Sequence, residues 1–139
     1  TPELTDRLIS VSHDLLVKTL PRYVDGQVEP YPQPDVKPTF SRKLSKSDGL
    51  VDWSKPARRL EREIRAYAGW PKSRAKLGAT DAIITKARAV DEDLQPGFIH
   101  AGNKRLIVGA GEGALEILAL KPAGKREMTA EAFLAGYEL

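Results

Sequence analysis

Hydrophobic positions near the start of the chain recur at helical spacing. Leu4, Leu8, Val11 and Leu15 follow i, i+4, i+7 and i+11, and Leu16 and Leu20 widen the same stripe, so the first twenty residues read as an amphipathic helix. Thr1 and Pro2 supply an N-cap and a first-turn proline, Pro21 is expected to kink or restart the helix, and Asp25-Gly26 to end it. Four prolines at 30, 32, 34 and 38 then predict an extended strand end followed by a linker, and with it a domain boundary. A second helix is predicted from Ser54 as N-cap and Pro56 in the first turn, stapled by Trp53, to about Tyr67. On it Ala57, Leu60, Ile64 and Tyr67 share one side, and Arg58, Arg62 and Arg65 share the other. After Leu77 the pattern turns to short β-runs: Ala82 to Val90, Gly97 to Ala101, Arg105 to Gly109 and Ala114 to Leu120, with Gly111-Glu112-Gly113 as a hairpin loop. Thr129 caps a closing helix through Phe133 and Leu134. The predicted fold class is therefore α+β, with a small β-barrel of the oligonucleotide-binding (OB) type at the C-terminal end, preceded by a basic linker and a helix.

Composition narrows the chemistry. The chain has 139 residues and no cysteine, which excludes disulfide frameworks, thiolate zinc sites and cysteine nucleophiles and fits a cytoplasmic protein. The longest apolar stretch, Leu106 to Gly111, falls far short of the ~20 residues of a membrane span. With no basic-then-apolar signal segment either, no membrane partner is expected. A start at Thr1 rather than methionine, with a helix under way at once, leads us to expect a piece of a longer polypeptide.

The net charge of +3 hides a strong asymmetry. Residues 1–36 carry 3 Lys and Arg against 6 Asp and Glu; residues 37–76 carry 12 against 4, a net of +8; residues 77–139 carry 7 against 9. A local excess of that size attracts a polyanion, which points to nucleic acid or another phosphate-rich partner.

Catalytic parts are missing from the pattern. His13 lies off the leucine stripe and His100 inside a predicted strand, and two isolated histidines give neither a general base beside a nucleophile nor a zinc pattern. The cluster Gly109-Ala110-Gly111-Glu112-Gly113 lacks the lysine of a Walker loop and precedes a strand, so it reads as a turn. Asp48, Asp52, Glu61 and Glu63 sit among basic residues that need counter-charges. No catalytic residue and no metal site is predicted.

The order of short motifs is more specific than any one of them. Lys18-Thr19-Leu20-Pro21, the proline-rich linker, Phe40-Ser41-Arg42-Lys43-Leu44-Ser45-Lys46, Asp52-Trp53-Ser54, Ile64-Arg65-Ala66-Tyr67, Trp70-Pro71 and Leu120-Lys121-Pro122-Ala123-Gly124-Lys125 together resemble the C-terminal half of the methionyl-tRNA formyltransferases. Ala68-Gly69 stand where that family usually carries Asn-Pro.

The resemblance implies an enzyme that transfers a formyl group from 10-formyltetrahydrofolate to methionyl initiator tRNA in translation initiation. The folate and the catalytic Asn, His and Asp would belong to a Rossmann-like N-terminal domain, a partner of this chain. It also implies that residues 1–36 are the tail of that domain, residues 37–52 a linker and residues 53–139 an OB-like tRNA-binding domain. On that reading the chain alone binds no cofactor and is inactive.

The residues expected to contact tRNA phosphates are Arg42, Lys43 and Lys46 in the linker, Arg58, Arg62 and Arg65 on the helix, Lys72 and Arg74 after the Trp-Pro turn, and Lys125 and Arg126. Trp70 is a possible base-stacking residue, whereas Trp53 is assigned to the core. Substituting Glu112 or Glu116 in the β region is expected to change tRNA binding little. Two alternatives stay open: a stand-alone RNA-binding OB-like module, and the C-terminal domain of a related formyltransferase or hydrolase acting on a nucleotide sugar or on formyltetrahydrofolate.

Overall fold

The computed structural model describes residues 2–139; Thr1, expected as the first helix cap, lies outside the described residues. The chain divides into two compact units, residues 1–43 and 44–139.

The first unit holds one helix, α1 (Pro2–Val24), followed by an extended, proline-rich segment without a strand, so the strand end expected near Val28 is not formed. The helix also runs through Pro21, which was expected to interrupt it. So close to the C-terminal end the missing N–H removes one helical hydrogen bond, and the orphaned Val17 carbonyl belongs to an exposed residue. The helix ends where Asp25-Gly26 predicted. Gly26 takes φ +70°, its N–H donates to the Tyr23 carbonyl at 3.1 Å, and Gln27 N–H reaches the Arg22 carbonyl at 2.8 Å. This double closure satisfies two of the last carbonyls and needs a left-handed residue at Gly26.

The leucine stripe of α1 is more than half exposed, from Leu4 at 55% to Leu15 at 64%. A helix without a packed face is marginal in water. In a monomeric sample, α1 amides are therefore expected to exchange with deuterium orders of magnitude faster than those of the core sheet. Protection of α1 equal to that of the sheet would contradict this.

The second unit is α+β. A 3-10 turn (Lys46–Gly49) and α2 (Ala57–Ala66) lead into six antiparallel strands, and α3 (Ala130–Gly136) closes the unit. The strands are β1 (Ser73–Leu77), β2 (Thr80–Val90), β3 (Ile99–Gly102), β4 (Arg105–Gly109), β5 (Ala114–Pro122) and β6 (Met128–Thr129). Their order is β1-β2-β5-β4-β3, with β6 also on β5. Because β2 pairs with β5 from Ala114 to Pro122, β4 and β6 share the other edge of β5, one beside Ala114–Ile117 and the other beside Ala119 and Leu120. The register of β2 on β5 slips around Thr85, a bulge that bends the long strand.

The core lies under α2 and α3. Ala57, Leu60 and Ile64 of α2 and Ala130 and Phe133 of α3 pack with Leu77, Ile84, Leu106, Val108, Leu115, Ile117 and Leu120 of the sheet. Trp53 and Tyr137 pack against this cluster, the latter stacked on Phe133 with ring centroids 4.5 Å apart. Thr129 caps α3 as predicted, its Oγ1 accepting from Ala132 N–H at 3.2 Å.

The start of α2 differs from expectation. Pro56, not Ser54, holds the cap position, and the Ala57 N–H donates to the Glu112 carbonyl at 2.9 Å. Ser54 instead turns back, its N–H and hydroxyl both donating to Asp52 Oδ1 at 3.1 and 2.6 Å. Those bonds, the hydroxyl's foremost, hold the Asp52 carboxyl below the usual range. The loop between β4 and β5 therefore does the capping that a serine side chain was expected to do.

Candidate nucleic-acid interface

With its apolar face buried, α2 turns Arg58, Arg59, Arg62 and Arg65 outward. Two of them are engaged by the carboxylates between them. Glu63 accepts from Arg59 Nε at 3.0 Å and from Lys55 Nζ at 3.0 Å, and Glu61 pairs with Arg65 Nη1 at 2.5 Å. Glu61 also accepts from the backbone N–H of Ala89 in β2 at 3.2 Å. That hydrogen bond is the first cause, ahead of Arg65, that holds its carboxyl below the usual range. Arg58 and Arg62 form no ion pair with any described residue. Of the three arginines expected to act together, two stand open to solvent and Arg65 is partly neutralised by its neighbour.

A second cationic area forms on β1. The run Ser73-Arg74-Ala75-Lys76-Leu77 buries Ser73 and Leu77 and places Arg74 and Lys76 on the opposite face, as strand alternation requires. Arg74 is in register with Ile83 of β2, which is in register with Lys121 of β5, so Arg74, Ile83 and Lys121 form a row across three strands. The guanidinium of Arg74 donates to the carbonyl of Lys46, and the carbonyl of Arg74 accepts from Val51 N–H at 2.9 Å. Arg74 thereby ties the 3-10 turn and the segment after it to the sheet.

Lys72 is fixed through its backbone. Its φ of +70° is costly for a residue with a Cβ, and two contacts hold it: its N–H donates to the Tyr67 carbonyl at 3.0 Å, and its carbonyl lies against Gly49. A Cβ on Gly49 would come within 2.2 Å of the Lys72 oxygen, which is why a glycine stands there.

Lys46, Lys72 and Arg74 are thus brought to one place. Lys76 and Lys121, absent from the predicted set, extend it. Alternation in the five residues of β1 could have flagged Lys76, but Lys121 needs the strand register, which no local pattern supplies.

The remaining predicted residues lie outside β1, β2 and β5 in the chain. Lys125 and Arg126 are exposed on the turn after β5, closed by Lys125 N–H on the Pro122 carbonyl at 3.0 Å. Trp70 is exposed, before a cis peptide to Pro71. In the first unit Arg42 and Lys43 are exposed, and Arg42 Nη1 donates to the Lys43 carbonyl at 3.2 Å.

Glu116 is buried. It is 5% exposed, accepting from Arg88 Nε at 2.8 Å and from Arg105 Nε and Nη2 at 3.1 Å each. The hydrogen bonds from Arg105 and then Arg88 bring its carboxyl down to about 2, against the opposing effect of burial. Arg105 is held in addition by Glu92 at 3.0 Å.

His13 and His100 are exposed on α1 and β3, and among the described residues no three His, Asp or Glu side chains gather as a metal site. Among the same residues no helix is long and apolar enough to cross a membrane. In the glycine loop, the N–H groups of Ala110 and Gly111 donate to the carbonyls of Gly113 and Lys55, so they are not free to cradle a phosphate.

What the second unit presents is a compact α+β domain carrying cations that are positioned by backbone and sheet. Residues 43–138 match the family described as formyl transferase, C-terminal domain, and the chain belongs to that family. It is 39% identical over 138 residues to the methionyl-tRNA formyltransferase of Chloroflexus aurantiacus, an alignment covering 96% of this chain and 44% of that protein. It is 42% identical over 139 residues to that of Halorhodospira halophila, covering 98% and 45%. The chain thus spans somewhat under half the length of these relatives. Among solved structures, a variant of HypX from Aquifex aeolicus aligns with a TM-score of 0.62 at 19% identity, over 90% of this chain and 24% of that one. HypX in complex with tetrahydrofolic acid aligns at 0.60 and 18%, over 87% and 22%. These two likenesses are likenesses of fold.

Proposed function

We propose that the chain is the C-terminal, tRNA-binding part of a methionyl-tRNA formyltransferase, working in the cytoplasm beside a catalytic domain that holds 10-formyltetrahydrofolate. The observation that carries this reading is the identity of 39 and 42% to two such enzymes along nearly the whole chain. The sheet would curl into an OB-like barrel over residues 53–139, with residues 37–52 as linker and residues 1–36 as the tail of the catalytic domain. Arg42, Lys43, Lys46, Arg58, Arg62, Arg65, Lys72, Arg74, Lys125 and Arg126 would meet tRNA phosphates, and Trp70 would stack on a base.

These contacts would set affinity and orientation more than sequence preference, because phosphates are the same in every tRNA. The open pair Arg58 and Arg62 has the strongest claim, since neither guanidinium is held in an ion pair with a described residue. Arg74 would act as much by holding Lys46 in place as by touching a phosphate itself.

On this reading the catalytic base and the folate site belong to the catalytic domain. Incubated with methionyl initiator tRNA and 10-formyltetrahydrofolate, the chain is expected to bind the tRNA in a gel-shift assay and to produce no formyl-methionyl-tRNA above the uncatalysed rate. Turnover by the chain, or a failure to shift tRNA at low salt, would overturn the reading.

A further inference from the structure

The row of residues across β1, β2 and β5 borders a groove of about 540 Å³, a volume in the range of small-molecule sites. Its exposed apolar part comes from Leu50 and Ile83, Pro122 being buried opposite Ala82, and its cations are Arg74, Lys76 and Lys121. A single carboxylate, Asp81, stands opposite Lys76 in the strand register and forms no ion pair with a described residue. The register puts Arg74, Lys76, Asp81, Ile83 and Lys121 on one face of the sheet. Arg74 is a fixed wall, anchored on the Lys46 carbonyl, and its Nε is a buried donor without an acceptor in the protein.

We propose that this groove takes one unstacked nucleotide of a single-stranded RNA segment, guanosine above the others, with the base on Leu50 and Ile83, its edge on Asp81 and its phosphate on Lys76 and Lys121. The inference rests on the tRNA-binding reading and goes further, in assigning a base-reading pocket to a surface otherwise expected to meet phosphates only. An apolar floor with a cationic rim suits a planar ring joined to a phosphate; a chain of carboxylates would leave the floor uncovered. Guanine presents adjacent N1–H and N2–H donors that match the two oxygens of a carboxylate. Uracil flanks its one N–H with carbonyl oxygens that a carboxylate repels. The lone acidic residue in a cationic groove thus discriminates where the lysines cannot.

The test is a titration of the isotope-labelled chain, followed through the backbone amides of Ala82, Ile83, Ala123 and Gly124, with guanosine 5′-monophosphate, uridine 5′-monophosphate, inorganic phosphate and hexaglutamate as separate probes. The guanosine nucleotide is expected to shift these amides saturably and to bind at least threefold more tightly than the uridine nucleotide. Asp81→Asn should remove that difference, and Lys121→Gln should weaken both nucleotides threefold or more. Equal binding of the two nucleotides, or equal shifts with phosphate or hexaglutamate, would overturn the proposal. Measuring initiator tRNA affinity on the same samples separates the two claims. Retained tRNA binding with silent groove amides removes the groove alone, while a responsive groove on a chain that ignores tRNA removes the tRNA reading.

Discussion

Glu116→Gln is expected to lower the stability of the second unit at neutral pH by about 2–3 kcal/mol, a drop in Tm of roughly 10–20 °C for a unit of this size. The carboxylate is 5% exposed and is shared by Arg88 from β2 and Arg105 from β4. An amide in its place can accept from one of them but brings its own N–H donors against the other. Neutralising the buried carboxylate removes charge-assisted hydrogen bonds to two half-exposed arginines and leaves a buried amide imperfectly matched to them.

The same residue makes stability depend on acid. Its folded pKa of about 2 lies below the ordinary 4.5, so the folded state binds its proton less readily than the unfolded chain. The stabilisation is complete above about pH 5 and is lost as the pH falls toward 2; at about 1.4 kcal/mol per pH unit it amounts to about 3 kcal/mol. Acid unfolding followed by circular dichroism should therefore be steep in the parent and flatter in Glu116→Gln across that window. If the variant lost stability in parallel with the parent from pH 5 to 2, the buried carboxylate would not be the group responsible.

Gly111→Ala is expected to cost about 3 kcal/mol or more, and to leave the unit partly unfolded at 37 °C. A Cβ there would lie 1.9 Å from the Ser54 carbonyl oxygen and 2.7 Å from its carbon. Both are backbone atoms of the segment that enters α2, and Gly111 N–H is itself bonded to the Lys55 carbonyl at 3.0 Å. Neither side can give without breaking that bond or the one from Ala57 N–H to Glu112 that caps the helix. Gly136→Ala supplies the contrast, since a Cβ at that position in α3 meets nothing within 4 Å. That variant should be neutral or more stable by up to ~1 kcal/mol, as alanine is the better helix former. Thermal melts of the two decide the matter. A Gly111→Ala protein as stable as the parent would mean that the loop is not the rigid junction described here, and would reopen a ligand-binding role for the glycine cluster.

Much of this was legible in the order of residues. The face of α2, the strands β2, β4 and β5, the glycine hairpin and the Thr129 cap all follow from local periodicity and capping chemistry. The failures have physical causes. β1 was missed because Ser73-Arg74-Ala75-Lys76-Leu77 is poor in branched residues and buries little besides its two ends. β6 has only two residues, paired to β5. Ser54 was misread as a cap because a backbone carbonyl from a loop 55 residues downstream in sequence does that work. The burial of Glu116 leaves no local signal, since its two arginines come from 28 and 11 residues away. The basic character of the candidate interface was plain in the +8 segment, but its grouping was not. Which arginines are already paired, and that Lys121 joins Arg74, are matters of side-chain geometry and strand register.

The account stands or falls on whether the open cations of α2 meet phosphates. The direct measurement is the affinity of the chain for initiator tRNA over a salt series, by fluorescence anisotropy, for the parent, Arg58→Gln/Arg62→Gln and Glu112→Gln. Each phosphate contact contributes somewhat under one unit to the slope of log affinity against log salt, ~0.7–0.9. The account predicts that the double variant flattens the slope by about 1.5 units and weakens initiator and elongator tRNA alike, while Glu112→Gln changes neither. A double variant that keeps the parent slope and affinity would show that the arginine face of α2 is only a solvated surface, and would contradict the tRNA role proposed for it.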